Sequence, residues 1–276
     1  MDLSLAPEPG TFIIARGGTA EILRWNDRQV LKLFFDWVPS DLVEREIHAA
    51  CLVSGMDLST PKMLGELPVK GRRGLIYERV AGESLIQLLA RKPWLCIPYA
   101  RKFAELHAAI HRHPGTGLLP LKEWLEKTIR GLNIQPHEMV ENALDRMTDL
   151  PDGETLCHFD FHPEQVLVTS KGQVILDWMT ALAGPAAADV AHTVVLLRFG
   201  SLRDVNWFMK TLANLLRMIF LRTYLHRYLE INPALAVEDI RAWLPIAAMA
   251  RLQDGIPDEK HKLLSFLKRN FQKKSH

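Results

Sequence analysis

The sequence predicts an α+β fold: a small antiparallel β-sheet with one helix, followed by a larger and mainly helical part. Three observations point to it. Short apolar runs separated by turn residues fill the chain up to residue 80. A single stretch of helical spacing, beginning at Ser40, interrupts them. Beyond Gly82 apolar residues recur at three- and four-residue steps almost to the end, broken by two short strands either side of Gly172. The predicted division is therefore residues 1–80 and 81–276, with a connecting segment near Glu78 to Glu83.

Each element has its own signal. Residues 11–15 form an apolar strand ended by Gly17 and Gly18. Residues 21–25 resume the extended pattern, Asn26 and Asp27 mark a turn, and 29–34 return as the opposite strand of a hairpin. Ser40 is the expected N-cap of a helix in which Leu42, Val43, Ile47 and Leu52 share one side and Gly55 is the stop. Residues 75–80 are again strand-like, closed by Ala81, Gly82 and Glu83. Helices are expected at 99–111, 121–129 and, more weakly, 139–147. After strands at 166–168 and 174–176, helical spacing returns at 187–198, 205–229, 237–252 and 259–271. Pro233, Pro245 and Pro257 punctuate that tail at or near helix starts or kinks.

Composition excludes several classes. With 276 residues, 48% apolar and 24% charged, the chain is long enough to bury a full core. A formal net charge of +2 argues against a nucleic-acid or anionic-membrane partner. Lys268-Arg269 and Lys273-Lys274 read as a solvated helix end. The first residues lack the basic and apolar regions of a signal peptide, and no apolar run reaches membrane-spanning length. Cys51, Cys96 and Cys157 are widely spaced and odd in number, which fits buried thiols in a reducing compartment. A cytoplasmic protein is expected.

The chemistry concentrates in 158–178. Asp160 follows His158, Gln165 lies five residues further on, a short apolar strand follows, and Asp177 closes the next one. Phosphoryl transfer needs a group to orient the attacking hydroxyl and accept its proton, and oxygen ligands for magnesium, in that order. Asp160 fits the first role, and Gln165 with Asp177 the second. Upstream, Gly17, Gly18 and Thr19 lie between strands, where glycines let backbone N–H groups approach a phosphate. Lys32, inside an apolar strand, can bridge phosphates and pair with a helix carboxylate, Glu46 by register or Glu44 one step off. Plainer readings stand beside these. A glycine pair between strands is an ordinary turn, a hairpin lysine often faces solvent, and an aspartate at a strand end is often a cap. His158, Asp160 and His162 also alternate as a His-x-Asp-x-His metal motif, with His192 and Asp189 as downstream ligands, which would suggest a metallohydrolase.

Together these residues resemble the aminoglycoside phosphotransferase/choline kinase-like family over nearly the whole chain. The matching blocks are Gly17 to Ile22, Val30 to Phe34, Glu44 to Glu46, Tyr77 to Gly82, the helix Phe103 to His107, Cys157 to Val168, Ile175 to Trp178, Gly184, and Asp189 to Ala191. The resemblance implies a two-lobed protein-kinase-like fold, ATP as phosphoryl donor, Mg2+ as cofactor and a small-molecule hydroxyl as acceptor. It implies that Asp160 is catalytic, that Gln165 and Asp177 hold magnesium, and that Lys32 and Glu46 form the nucleotide-positioning pair. Glu78, Arg79 and Val80 resemble the hinge that meets adenine, and Asp189 matches a mainly structural aspartate.

Three departures bear on activity. Phe159 stands where the family usually has glycine, Pro185 replaces an acidic or amide residue, and Gln165 replaces asparagine. The longer amide must retract by about one bond length to keep octahedral magnesium geometry. A catalytically weak or inactive kinase-like nucleotide-binding protein is the alternative these departures raise. For the acceptor, Glu230, Glu238, Asp239, Asp254, Asp258 and Glu259 are interspersed with basic residues, as on a solvated surface. Trp207, Tyr224, Tyr228 and Trp243 are candidates for an aromatic cage, with core packing the plainer reading.

Overall fold

A computed structural model describes residues 12–201 and 207–271, with the side chains of 207–210 outside the description. Lys273-Lys274 and the side chain of Trp207 therefore lie outside the described residues. In chain order the first elements are β1 (Ile13–Arg16), β2 (Ala20–Arg24), β3 (Gln29–Phe34), α1 (Ser40–Ser54), β4 (Met63–Glu66), β5 (Gly74–Glu78) and β6 (Glu83–Ser84). Then come α2 (Leu85–Arg91), α3 (Cys96–Ile110), α4 (Leu121–Arg130), α5 (Glu138–Thr148), β7 (Thr155–Cys157), β8 (Val166–Thr169), β9 (Gly172–Ile175) and β10 (Leu182–Gly184). The helices α6 (Ala186–Phe199), α7 (Trp207–Ile231), α8 (Val237–Arg251) and α9 (Pro257–Phe271) complete it. This is the α+β class the sequence predicts.

Two compact units share the chain. One reaches Leu85 and includes Glu164–Thr180; the other contains Ile86–Pro163 and the chain from Ala181 onward. In the first, five antiparallel strands run in the order β1-β2-β3-β5-β4. The predicted hairpin is its centre, paired from Ala20↔Phe34 to Arg24↔Val30. Alternation along β3 decides what its two faces carry. Leu31 and Leu33 enter one cluster with Leu67 and Val69. Phe34 enters another with Ala20, Leu75 and Val43 of α1. Lys32 shares the Phe34 parity and so faces α1. A second sheet, β6-β8-β9, belongs to the same unit.

The other unit is built around α6, of whose 14 residues 12 are buried. A helix buried nearly all round runs through a core rather than along it, so the polar residues Asp189, His192 and Thr193 are held inside. Tyr224, Tyr228 and Trp243 are core residues with 0%, 0% and 1% exposure, so they are not an exposed aromatic cage. The acidic residues of the tail are also accounted for. Glu230 pairs with Arg227, Glu238 with Arg241, and Asp254 and Glu259 with Arg251. Asp239 accepts from the Ala236 amide and Asp258 from Ser201. Pro257 opens α9 as expected, whereas Pro245 lies inside α8.

Two smaller expectations are corrected. Ser40 is the first residue of α1 and not its cap; Pro39, in an extended conformation, holds the cap position without a side-chain bond. Cys51 is exposed on the polar side of α1, while Cys96 and Cys157 are buried.

Gly184 is required by packing. A Cβ there would lie 2.6 Å from the Leu121 Cβ. Gly184→Ala is expected to lower stability by about 1–3 kcal/mol, as overpacking does, read from the denaturant midpoint.

Candidate active site

The first unit carries a buried ion cluster. Lys32 Nζ lies 2.7 and 2.9 Å from the Glu46 carboxylate oxygens and 3.0 Å from Asp177 Oδ1. Glu46 follows Val43 by three residues on the buried side of α1, so the helix face that meets the sheet also delivers the carboxylate. Tyr77 of β5 donates its hydroxyl to Glu46 Oε1 at 2.8 Å. Glu44 instead bonds Arg73 at 2.6 Å, which settles the partner of Lys32 as Glu46. Burial works against the Lys32 charge, but Asp177 and Glu46 outweigh it and hold the ammonium above its ordinary range. Burial pushes the Glu46 carboxyl up while Lys32 pulls it down; with both oxygens on the ammonium, the ionised pair is the state the geometry holds. Burial and the Glu46 charge keep the Tyr77 phenol protonated.

Asp177 is fixed by its neighbours. The Ile175 amide donates to Ser59 O at 2.8 Å, and Trp178 Nε1 donates to Thr60 Oγ1 at 2.9 Å. Between these anchors Asp177 takes a left-handed conformation, φ 59°, which aspartate tolerates better than most residues. The Leu176 amide donates to the Gln165 carbonyl at 2.8 Å, so Gln165 and Asp177 are brought near each other at the same end of the β8–β9 hairpin.

The glycine loop and hinge belong to the same unit. Gly17 N donates to Ala20 O at 2.9 Å, closing the turn between β1 and β2, and the Phe35 amide donates to Thr19 O. A Cβ at Gly18 would meet nothing within 4 Å, and one at Gly17 would make only an ordinary contact. Neither glycine is demanded by the turn itself. At the end of β5, the Glu78 amide donates to Lys62 O and the Arg79 amide to Arg28 O, with Val80 next in the chain.

The second unit holds Asp160 in a turn gripped by α6. Asp189 Oδ2 accepts the His158 amide at 2.6 Å and Oδ1 accepts the Phe159 amide at 2.9 Å. One helical turn later, Thr193 donates to Phe161 O at 3.0 Å. Asp160 is thus bracketed by backbone bonds on both sides. His158 accepts the Asp160 amide at its Nδ1, 3.3 Å. His162 Nε2 lies 3.5 Å from Asp160 Oδ2. Burial opposes ionisation of Asp160, but the hydrogen bond from His162 and the electrostatic influence of the His162, His158 and His192 rings outweigh it, bringing its pKa down to about 2. Asp160 is a carboxylate at neutral pH.

Phe159 explains itself only in three dimensions. Its backbone is left-handed, φ 57°, a conformation that suits glycine and costs a phenylalanine about 1–2 kcal/mol. Its ring is buried, stacked on His192 at 4.3 Å and edge-on to Trp124 at 5.3 Å. The ring is therefore turned into the core of its unit. The network missed by sequence reasoning is the one behind Asp189: His107 and His111 approach Asp189 Oδ2 at 3.2 and 3.1 Å. Among the described residues, the cluster with metal-ligand spacing is His107, His111 and Asp189, not His158, Asp160 and His162. The alternative His-x-Asp-x-His arrangement is not formed among the described residues; the His158 ring accepts from its own turn's backbone.

Comparison with known structures establishes the fold as the two-lobed protein-kinase-like one. The GDP and kanamycin complex of APH(2")-IIia is similar with a TM-score of 0.63 at 15% identity, over 99% of this chain and 96% of that one. An aminoglycoside-3'-phosphotransferase of type VIII gives 0.61 at 15%, over 89% and 93%. Choline kinase from Cryptosporidium parvum Iowa II gives 0.57 at 15%, over 96% and 88%. No curated protein sequence matches the chain. The sequence model of the phosphotransferase enzyme family, APH, matches residues 19–236. The chain belongs to that family, and is of the enzyme class its sequence predicts. No described helix is long and apolar enough to cross a membrane.

Three outcomes are expected. Lys32→Ala leaves Glu46 buried without its ammonium and should cost about 3–5 kcal/mol, while Glu44→Ala, at an exposed site, should stay within about 0.5 kcal/mol; urea unfolding measures both. Phe159→Gly relieves the left-handed backbone but deletes a buried ring, for a net loss of about 2 kcal/mol in the same assay. Burial pushes His107 and His192 down to about 4, so both fold as neutral rings. Since their pKa is lowered on folding, the stability they permit is complete above about pH 6.5 and declines as pH falls through 4. Unfolding midpoints measured from pH 7 to 4 should show that decline, and His192→Gln should make it shallower.

Proposed function

We propose that this phosphotransferase moves the γ-phosphoryl group of ATP to a hydroxyl of a small molecule, with magnesium. The observation that carries the reading is the ion cluster of Lys32, Glu46 and Asp177. A lysine buried between two carboxylates is costly as a purely structural device. It is well suited to a site where one carboxylate holds the ammonium in place and the other awaits a cation. In this reading Glu46 positions Lys32, and Lys32 meets the phosphates of the nucleotide. The Gly17 amide is held by the Ala20 carbonyl within the turn, so contact of the Gly17-Gly18-Thr19 loop with those phosphates is assigned to the backbone of Gly18 and Thr19. The amides of Glu78 and Arg79 are engaged within the fold, so recognition of the base is assigned to Val80.

The donor set fits magnesium. The Asp177 carboxylate and the Gln165 amide oxygen are hard oxygen ligands, and the 165–176 backbone bond brings them near one end of one hairpin. When bound, the ion would neutralise phosphate charge. Asp160, ionised and held by bonds on both sides, orients the acceptor hydroxyl and takes its proton as the new bond forms. A low pKa suits that role, since a loose transition state asks little of a base. The acceptor class follows the relatives, which are an aminoglycoside kinase bound to kanamycin and a choline kinase. The paired acidic residues of the tail do not single out a polycation.

Gln165 supports a second reading, a nucleotide-binding protein with little turnover. Mg-ATP should raise the melting temperature, and ATP consumption in a screen of hydroxylated metabolites, sugars and antibiotics should fall by roughly 10²-fold or more in Asp160→Ala. Gln165→Asn should lower the magnesium concentration needed for half-maximal rate. No thermal shift with Mg-ATP would sink both nucleotide readings, and a shift without turnover in the wild type would favour the second.

A further inference from the structure

Two helices of the second unit carry a matched pattern that these roles leave unused. Tyr224 and Tyr228 lie one turn apart on α7, and His107 and His111 one turn apart at the end of α3. Tyr224 Oη meets His107 Nδ1 at 2.7 Å, and Tyr228 Oη meets His111 Nδ1 at 2.6 Å. Of the remaining nitrogens, His111 Nε2 hydrogen-bonds Asp189 Oδ2 at 3.1 Å, whereas His107 Nε2 lies 3.2 Å from the same oxygen without completing a hydrogen bond. That carboxylate is the one that holds the His158 and Phe159 amides.

Proton positions follow from the chemistry of the groups. Burial opposes the Asp189 charge, but His107 and His111 outweigh it and keep the carboxylate ionised, an acceptor only. Each facing Nε2 must then carry a hydrogen. The His107 ring is neutral, so its Nδ1 is an acceptor and Tyr224 must donate to it. The same geometry gives His111 and Tyr228 the same order. Burial keeps both phenols protonated and able to donate.

We infer that Tyr224 and Tyr228 are positioning residues for the Asp160 turn, acting by holding His107 and His111 in the tautomer that turns an Nε2–H toward Asp189, the His111 one as a hydrogen bond. Without the tyrosine hydroxyl, Nδ1 is a buried acceptor with no donor, and the ring gains by moving its proton there or by rotating. Either change withdraws a donor from Asp189 and frees the carboxylate to turn. The Phe159 backbone, held left-handed by that grip and by ring packing, then relaxes and carries Asp160 with it.

The inference rests on the proposed role of Asp160, and the test separates the two. The double variant Tyr224→Phe/Tyr228→Phe keeps both rings and removes only the hydroxyls. Phe220→Leu on the same helix, whose ring packs edge-on against Phe103, controls for loosened packing. Three readouts are taken: histidine ring 15N shifts, native-state exchange of the His158 and Phe159 amides, and Mg-ATP consumption with water as the acceptor. In the double variant the ring shifts should move, exchange at both amides should quicken by about tenfold, and kcat should fall by about tenfold with KM for ATP unchanged. The control should show none of these. Unchanged shifts and exchange in the double variant, equal effects in the control, or a change confined to KM would each overturn the inference. If the wild-type protein consumes no ATP, the phosphotransfer role of Asp160 fails by itself, and amide exchange still decides the positioning claim.

Discussion

The rest of the structure depends on one buried anion. Asp189 sits on a helix enclosed by apolar residues, where an isolated carboxylate would cost several kcal/mol. It is tolerated because three hydrogen bonds hold it, two from the backbone amides of the 158–159 turn and one from the His111 imidazole, with the His107 ring a further 3.2 Å neighbour. The need to satisfy that charge is what fixes the turn, and the turn is what aims Asp160. Polar groups in low-dielectric surroundings are demanding in this way: a buried charge needs its partners, and supplying them restricts the arrangement.

The first unit solves a related problem with the opposite sign. Lys32 is a buried cation, and Glu46 and Asp177 supply its counter-charges. The two clusters differ in how closed they are. Asp189 is satisfied by groups that are all buried, whereas the Asp177 side chain remains 31% exposed. One is an internal fixture. The other keeps a face toward water, as the magnesium role proposed for Asp177 requires.

Much of this could be read in the chain. The hairpin around Asn26 and Asp27, the single helix after it, the long helices and the Lys32–Glu46 pairing all follow from local periodicity and register. What escaped was long-range or orientational. Alternation at His158, Asp160 and His162 suggests three side chains on one side, but His158 closes a bond to its own turn. Phe159 stands next to Asp160 where the resemblance has glycine, and only the three-dimensional structure shows its left-handed backbone and its ring turned into the core. Tyr224 and Tyr228 were legible as core aromatics from helical spacing. Their hydroxyls were not, since the histidines they meet lie 117 residues earlier.

That same separation in sequence bears on how the chain acquires its shape. β6 pairs with β8, Glu83 opposite Val168, and Lys32 waits for an aspartate 145 residues further along. The N-terminal unit therefore cannot be finished when its five-stranded sheet has emerged from the ribosome. Until Asp177 is made, Lys32 has only Glu46 as an acidic partner, and the edge that β8 will fill stays open. Contacts of such long sequence span form late, because closing the chain between them costs entropy before they return any stability. The piece that completes the ion cluster is thus also the piece that completes the unit, so a nascent or truncated chain lacking 164–180 lacks both together.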